Sequence, residues 1–197
     1  MRIGCVVMAA GEARRFGKNK LAVMLSGKTL IRRALETIPG EEFCAVAVVT
    51  QYPEIEELAK EFSFLPVYNP HPDWGISYTI RLGLEALGDC DAALFQVSDQ
   101  PLLRRETVAA EVQFFRRHPD KLVGLGHSGV RGNPCIFPAQ YFPELFALQQ
   151  DQGGSCVIRR HPEELLLFEV PAHELADADT PQALRSILLI TGHVPSE

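Results

Sequence analysis

Residues 2–11 read RIGCVVMAAG, an apolar run rich in valine that passes directly into small residues and a glycine. A run of this length that ends in a glycine turn predicts a buried β-strand over residues 2–8 and a loop from residue 9 to about residue 20. Further short apolar runs predict strands at residues 43–50, 65–68, 91–97, 122–125, 135–137 and 165–170.

Helical patterns separate most of these strands. Apolar residues at helical spacing predict helices near residues 30–38, 53–62, 76–87, 108–118 and 141–148, after the turn at 151–154, and from about residue 180. The alternation predicts an α/β fold, a three-layer α/β/α Rossmann-like domain whose mostly parallel sheet is covered on both faces. With 197 residues and no low-complexity linker, residues 1–197 are expected to form a single domain.

The composition excludes several classes of protein. A formal net charge of −6 argues against nucleic acid as a partner. No apolar run approaches the roughly 18 residues of a membrane span, so no membrane contact and a cytoplasmic location are expected. The five cysteines include no CxxC pair, which disfavours a disulfide framework or a structural zinc site.

Positive charge is concentrated near the N-terminus. Residues 1–33 contain eight Lys and Arg against a single acid, Glu12. Such a cluster on an acidic chain favours capture of a small polyanion, although a solvated basic face would give the same count.

The loop after the first strand carries groups that suit phosphate binding. Ala9, Ala10 and Gly11 allow backbone N–H groups to approach a phosphate closely, and Arg15 and Lys20 can neutralise its charge. The loop is neither the GxGxxG dinucleotide fingerprint nor a Walker A loop, because it lacks the later glycines of the first and the Gly-Lys-Ser/Thr of the second. A small-residue turn flanked by surface cations is the alternative interpretation.

A second loop that begins with polar residues follows the strand predicted at residues 91–97. Asp99 comes two residues after this buried strand, at the edge of the sheet where the first loop also emerges. Mg²⁺ takes one or two protein carboxylates and completes its shell with substrate phosphates and water, so Asp99 is a candidate metal ligand. A turn-forming aspartate before Gln-Pro is the alternative.

Six segments, in order, resemble the family of molybdenum cofactor nucleotidyltransferases, within the sugar-nucleotide transferase superfamily. Residues 8–20 resemble its LAAGxSxRFGxxK signature, and the others are residues 69–84 (NP…GIS…R.GL), 97–101 (VSDQP), 131–134 (RGNP), 151–154 (DQGG) and 177–181 (DADTP). The resemblance covers most of the chain and implies a nucleotidyltransferase domain.

The resemblance also implies the reaction and its participants. A nucleoside triphosphate would be joined to the terminal phosphate of a molybdopterin-type acceptor with Mg²⁺ or Mn²⁺ as cofactor, and a molybdoenzyme could receive the product. Guanylyl-transferring members carry LAGG where this chain has MAAG at residues 8–11, so the resemblance favours CTP. A sugar phosphate or related phosphate is the alternative acceptor, and a non-catalytic nucleotide- or pterin-binding maturation factor is the alternative class of protein.

Roles for individual residues follow from the same resemblance. Catalytic roles fall to Lys20, Arg15 and Asp99. Nucleotide or acceptor contacts fall to Ala9, Ala10, Gly11, Gly75, Ser77, Arg81, Gly132 and Asn133, of which the last two are expected in an acceptor-side loop or a hairpin turn. A second metal carboxylate is expected from Asp177 or Asp179, while N-capping of the last helix by Asp179 or Thr180 is nearly as good an account of that segment.

Overall fold

The computed structural model describes residues 1–11 and 20–190 of the chain. Its strands are β1 Ile3–Ala9, β2 Met24–Leu25, β3 Lys28–Thr29, β4 Ala45–Thr50, β5 Leu65–Tyr68, β6 Ala92–Val97, β7 Leu122–His127, β8 Val130–Pro138 and β9 Leu165–Glu169. Its α-helices are α1 Leu30–Glu36, α2 Pro53–Glu61, α3 Ile76–Leu87, α4 Arg105–Arg116, α5 Phe142–Phe146, α6 Ser155–Ile158 and α7 Pro181–Ile190.

Seven of the strands form one sheet in the order β5-β4-β1-β6-β8-β7-β9. The pairs β5–β4, β4–β1, β1–β6 and β7–β9 are parallel, and β8 runs antiparallel to both of its neighbours. In this order β1 lies between β4 and β6 and runs parallel to both. The loops that follow these three strands therefore lie side by side at one edge of the sheet. Ligands of open α/β sheets bind at such carboxyl-terminal edges.

Helices cover both faces of this sheet because alternate residues of the central strands are apolar on both sides. Cys5 and Val7 of β1 pack on one face with residues of α1, α2 and α4. Val6 of β1 packs on the other face with residues of α3, α5 and α6. A smaller cluster joins α7 to β2 and α1 through Ile187, Leu25 and Leu30. The predicted three-layer α/β/α architecture is confirmed.

One local prediction was wrong, and one short element was not predicted. Residues 130–134 lie in β8 and are not a loop, since Gly126 pairs with Arg131 and His127 with Val130, and only Ser128 and Gly129 form the turn. The paired residues Arg131 and Cys135 flank Gly132, Asn133 and Pro134, which lie where the register with β7 shifts, so this segment continues the strand in spite of its turn-forming residues. The short hairpin of β2 and β3 was not predicted, because strands of two residues have no periodicity to detect.

No helix within the described residues has both the length and the apolar character needed to cross a membrane. All five cysteines are free thiols.

Candidate active site

Side chains from neighbouring strands hold the start of the loop after β1. Ser98 Oγ donates to the carbonyl of Met8 at 3.0 Å, Thr50 Oγ1 to that of Ala9 at 3.1 Å, and Gln51 Nε2 to that of Ala10 at 2.8 Å. Residues at the ends of β4 and β6 thus hold three successive carbonyls, those of residues 8–10. These hydrogen bonds orient the peptide units that the sequence predicts to bind phosphate. These polar side chains directly follow apolar strands, a signal that sequence reasoning used for Asp99 but missed here.

Lys20 lies between two carboxylates that are far from it in sequence. Its Nζ is 3.1 Å from Asp99 Oδ2 and 2.7 Å from Asp179 Oδ1. The proximity of Lys20 and Asp99 that the sequence predicts is therefore confirmed, whereas their catalytic roles stay predictions. Arg15, the other predicted catalytic cation, lies outside the described residues.

The segment that carries Asp177 and Asp179 is tied to the loop after β6. The backbone N–H of Ala178 donates to the carbonyl of Asp99 at 2.8 Å, and Gln100 Nε2 donates to the carbonyl of Leu175 at 3.5 Å. Thr180 Oγ1 accepts from the N–H of Ala183 at 3.0 Å, so Thr180 caps α7. The N-capping alternative thus applies to Thr180, and the Asp179 carboxylate contacts Lys20.

The acidic groups of this cluster influence one another. Burial raises the pKa of the Asp99 carboxyl, Lys20 acts against that rise, and Asp179 adds to it. Burial also raises the pKa of Asp177, and the charge of Asp99 raises it further. Both pKa values rise chiefly because burial penalises the charged carboxylate, and the neighbouring carboxylates add to that effect.

A buried glutamate fixes the acidic segment to the start of α4. Glu174 is fully buried and accepts hydrogen bonds from Thr107 Oγ1 at 2.6 Å, from Arg104 Nε at 2.9 Å and from the Arg104 N–H at 3.3 Å. The negative charge at the N-terminus of α4 is favourable because of the helix dipole. Glu174 was not identified from the sequence, since nothing local distinguishes it from a surface acid.

The oxygen atoms around Lys20 have the chemistry of a site for a hard divalent cation. Asp99 Oδ2 and Asp179 Oδ1 already converge on one cationic atom, and Mg²⁺ and Mn²⁺ prefer such carboxylate ligands. Within residues 1–11 and 20–190, no three or more Asp, Glu, His or Cys side chains converge as a metal site. Asp99, Asp177 and Asp179 therefore form no three-ligand centre by themselves, and the donor set fits a metal that is shared with substrate phosphates.

The predicted nucleotide segment at the start of α3 is pressed against the turn before α6. Gly75 has φ +86°, and a β-carbon at this position would overlap the backbone of Gln150. The N–H of Ser77, which is buried, donates to the Gln150 carbonyl at 3.0 Å. Arg81 is half-buried and makes no hydrogen bond or ion pair with any residue that the structure describes. Gly75 and Ser77 thus both contact Gln150, and Arg81 lies one helical turn after Ser77 on α3.

A cavity of about 160 Å³ lies beside the exits of β1 and β6 on the α3 face of the sheet. Its wall includes Met8, Val97, Asn133, Gly154 and Ser155. The predicted acceptor residue Asn133 thus faces a cavity, although from a strand and not from a loop.

Gly132 has a different environment from the predicted one. A β-carbon on Gly132 would lie 2.9 Å from Leu175 Cδ2, so its lack of a side chain allows Leu175 to pack closely. Gly132 was expected to let an acceptor approach closely, whereas in the structure the side chain of Leu175 occupies that space.

Comparisons with known proteins agree with this arrangement. The family described as the MobA-like NTP transferase domain matches residues 5–165. The purine catabolism protein PucB of Bacillus subtilis is 26% identical over 191 residues, which are 90% of this chain and 91% of that protein. A 2-C-methyl-D-erythritol 4-phosphate cytidylyltransferase of Dehalococcoides mccartyi is 28% identical over 113 residues, 54% of this chain and 50% of that enzyme.

Solved structures share the whole architecture. A nucleotidyl transferase from Methanothermobacter thermautotroptrophicus superposes with a TM-score of 0.78 at 21% identity, covering 96% of this chain and 99% of the other. Rv0371c of Mycobacterium tuberculosis in complex with manganese gives 0.74 at 18% identity, with 96% and 99% covered. The molybdopterin-guanine dinucleotide biosynthesis protein A of Archaeoglobus fulgidus gives 0.71 at 18% identity, with 96% and 98% covered.

At these identities the solved structures establish the fold, while the family match spans well over half of the chain. The chain belongs to the MobA-like NTP transferase domain family and is a nucleotidyltransferase.

Proposed function

We propose that this protein transfers a cytidylyl group from CTP to the terminal phosphate of a molybdopterin-type acceptor. An acceptor phosphate oxygen attacks the α-phosphorus of CTP, the bond between the α-phosphorus and the bridging oxygen breaks, and pyrophosphate leaves. Phosphoryl transfer of this kind needs no covalent enzyme intermediate, so the protein positions the reactants and neutralises their charge.

The observation that carries the proposal is the contact of Lys20 with both Asp99 and Asp179 at the exits of β1 and β6. One cation and two carboxylates at the edge of the sheet supply the two kinds of charge that a metal–triphosphate complex requires. A non-catalytic carrier would have no need of the carboxylate pair, which favours the enzyme.

Each group has a proposed task. Asp99 and Asp179 would hold Mg²⁺ or Mn²⁺, which would supply positive charge to neutralise the phosphates. Lys20 and Arg15 balance the charge that develops on the departing pyrophosphate, and the backbone N–H groups of residues 9–11 bind phosphate oxygens. The manganese complex of the structurally similar Rv0371c supports the choice of a divalent metal.

The acceptor is proposed to enter the cavity beside β8. Its wall combines the polar groups of Arg131, Asn133 and Ser155 with apolar side chains, among them Phe95 and Phe137, which suits a planar ring system with polar edges. The similarity to a molybdopterin-guanine dinucleotide biosynthesis protein supports a pterin acceptor. The partial match to a cytidylyltransferase that acts on a methylerythritol phosphate supports CTP and makes a polyol phosphate the second candidate acceptor.

The proposal is tested by measuring pyrophosphate release with CTP, GTP, ATP or UTP, in the presence of Mg²⁺ and either molybdenum cofactor or a polyol phosphate. Release is expected with CTP and the pterin acceptor. Asp99→Asn should lower it by about two orders of magnitude, because a charge-stabilising group is lost. Asp89→Asn makes the same change of charge at an exposed turn outside the cluster and should keep full activity.

Three results would count against the proposal. Full activity in Asp99→Asn would remove the metal assignment, preference for GTP would remove the nucleotide assignment, and release only with a polyol phosphate would replace the acceptor.

A further inference from the structure

Lys20 occupies the position at which the two carboxylates converge. Only 12% of its side chain is exposed, and its ammonium lies within 3.1 Å of both Asp99 Oδ2 and Asp179 Oδ1. A divalent cation bound by the same two oxygens would lie in direct repulsion with that ammonium. The carboxylate pair therefore holds one cation at a time, Lys20 or the metal.

The backbone of Lys20 is fixed while its side chain is long. Its carbonyl accepts a hydrogen bond from the N–H of Val23 at 3.1 Å in the short 3-10 helix Lys20–Ala22. A lysine stem has four rotatable bonds, so the ammonium can change partner without movement of the main chain. A triphosphate offers it such a partner, because phosphate oxygens carry more negative charge than the carboxylate pair.

We propose that Lys20 exchanges between the carboxylate pair and the phosphates of the nucleotide, so that this site takes the nucleotide as its metal complex and does not take the free metal first. In the free protein Lys20 blocks the metal. When phosphates arrive, Lys20 moves to them and leaves Asp99 and Asp179 to the ion that the phosphates bring. This inference rests on the proposed function for the identity of the nucleotide and the ion.

The test measures Mn²⁺ affinity without nucleotide, by electron paramagnetic resonance of the unbound ion. Lys20→Met keeps the aliphatic stem and removes the charge, and it should bind Mn²⁺ about tenfold more tightly than the wild type, because repulsion by a neighbouring unit charge is lost. CTP binding should weaken in the same variant. The two affinities are thus expected to change in opposite directions.

Matched variants locate the effect. Lys28→Met removes the same charge from a lysine that pairs with Glu36 and should leave Mn²⁺ affinity unchanged. Asp179→Asn in the Lys20→Met background should cancel the gain, since the negative charge of the released carboxylate is then gone. Lys20→Gln serves as a second variant if Lys20→Met does not fold, and thermal unfolding followed by circular dichroism verifies folding of each variant.

Unchanged or weaker Mn²⁺ binding in both Lys20 variants would overturn the exchange, and so would a gain that survives Asp179→Asn. These results are distinct from failure of the proposed function. If CTP supports pyrophosphate release but the Lys20 variants bind Mn²⁺ no better, the exchange is wrong and the function stands. If Mn²⁺ binding tightens but no nucleotide supports release, the exchange stands and the function is wrong.

Discussion

The carboxyl group of Glu111 lies on α4 inside the core, in an environment that gives it no hydrogen-bond partner. Its side chain is fully buried, and neither of its oxygens bonds to a described residue. Burial raises the pKa of Glu111 well above its ordinary value. Burial also raises the pKa of the Cys135 thiol to about 11, with Arg131 acting against this rise and Glu111 adding to it. An uncharged carboxylic acid is the form that this part of the core accepts.

The pKa of Glu111 makes folding stability depend on pH. Because the folded state binds the proton more tightly than the unfolded state, the contribution of Glu111 is fully present below the unfolded pKa and is lost as pH rises towards the folded pKa. In that window the wild type should lose about 1.4 kcal/mol of stability per pH unit relative to Glu111→Gln. Urea unfolding of both proteins between pH 5 and pH 8 measures the difference.

Glu106→Gln on the same helix is the control, because Glu106 is exposed. Its stability relative to the wild type should stay constant over this range. A constant difference for Glu111→Gln as well would show that the pKa of Glu111 is not raised in the folded state.

At the scale of residues, the sequence predicts which side chains meet because they follow neighbouring parallel strands. The proximity of Lys20 and Asp99 was predictable because neighbouring parallel strands end at one edge of the sheet. The choice between Asp177 and Asp179 as partner of Lys20 was not, since it depends on the backbone path of a segment without regular structure. The burial of Glu111 was not predictable either, because a glutamate on a helix usually faces solvent.

At the scale of elements, the close contact of α3 with β1 depends on glycine. A β-carbon on Gly83 would overlap the side chain of Val6, which is buried in the core of that face. A β-carbon on Gly4 would similarly lie 2.5 Å from Leu87. Each element thus has a glycine where the other has a bulky side chain.

Gly83→Ala is expected to destabilise the protein by about 1–3 kcal/mol, because the added methyl group forces α3 away from β1 or Val6 from its rotamer. The free energy of unfolding in urea measures the loss. Val6→Ala, which is itself destabilising, should make room for the methyl group, so that the double variant loses less than the sum of the two single variants. Simple additivity would show that the overlap is relieved elsewhere.

Strong periodicity made most elements predictable. The strand at residues 65–68 and the helix at residues 76–87 were predicted with the bounds of β5 and α3. The start of β8 was misassigned because Gly132, Asn133 and Pro134 are turn residues locally, whereas in the structure they lie in the strand, at an irregularity between two stretches that pair with β7. Tertiary pairing of this kind leaves no local signal.

At the scale of the whole molecule, one sheet joins all the major elements, and its two faces have continuous apolar cores. We therefore expect residues 1–197 to unfold as a single domain in one cooperative transition. Trp74 is the only tryptophan and reports on the start of α3, while far-ultraviolet circular dichroism reports on the whole chain. Urea midpoints from the two signals should coincide. Separate midpoints would divide the chain into more than one unit.

The contact between Lys20 and Asp179 spans 159 positions of the chain. A ribosome making this protein therefore produces Lys20 long before its second acidic partner, Asp179. Until then the nascent chain has the cation and Asp99 without the clamp that Glu174 forms with α4. Until Asp179 has been added, a growing chain therefore lacks one of the two carboxylates that contact Lys20 in the folded protein.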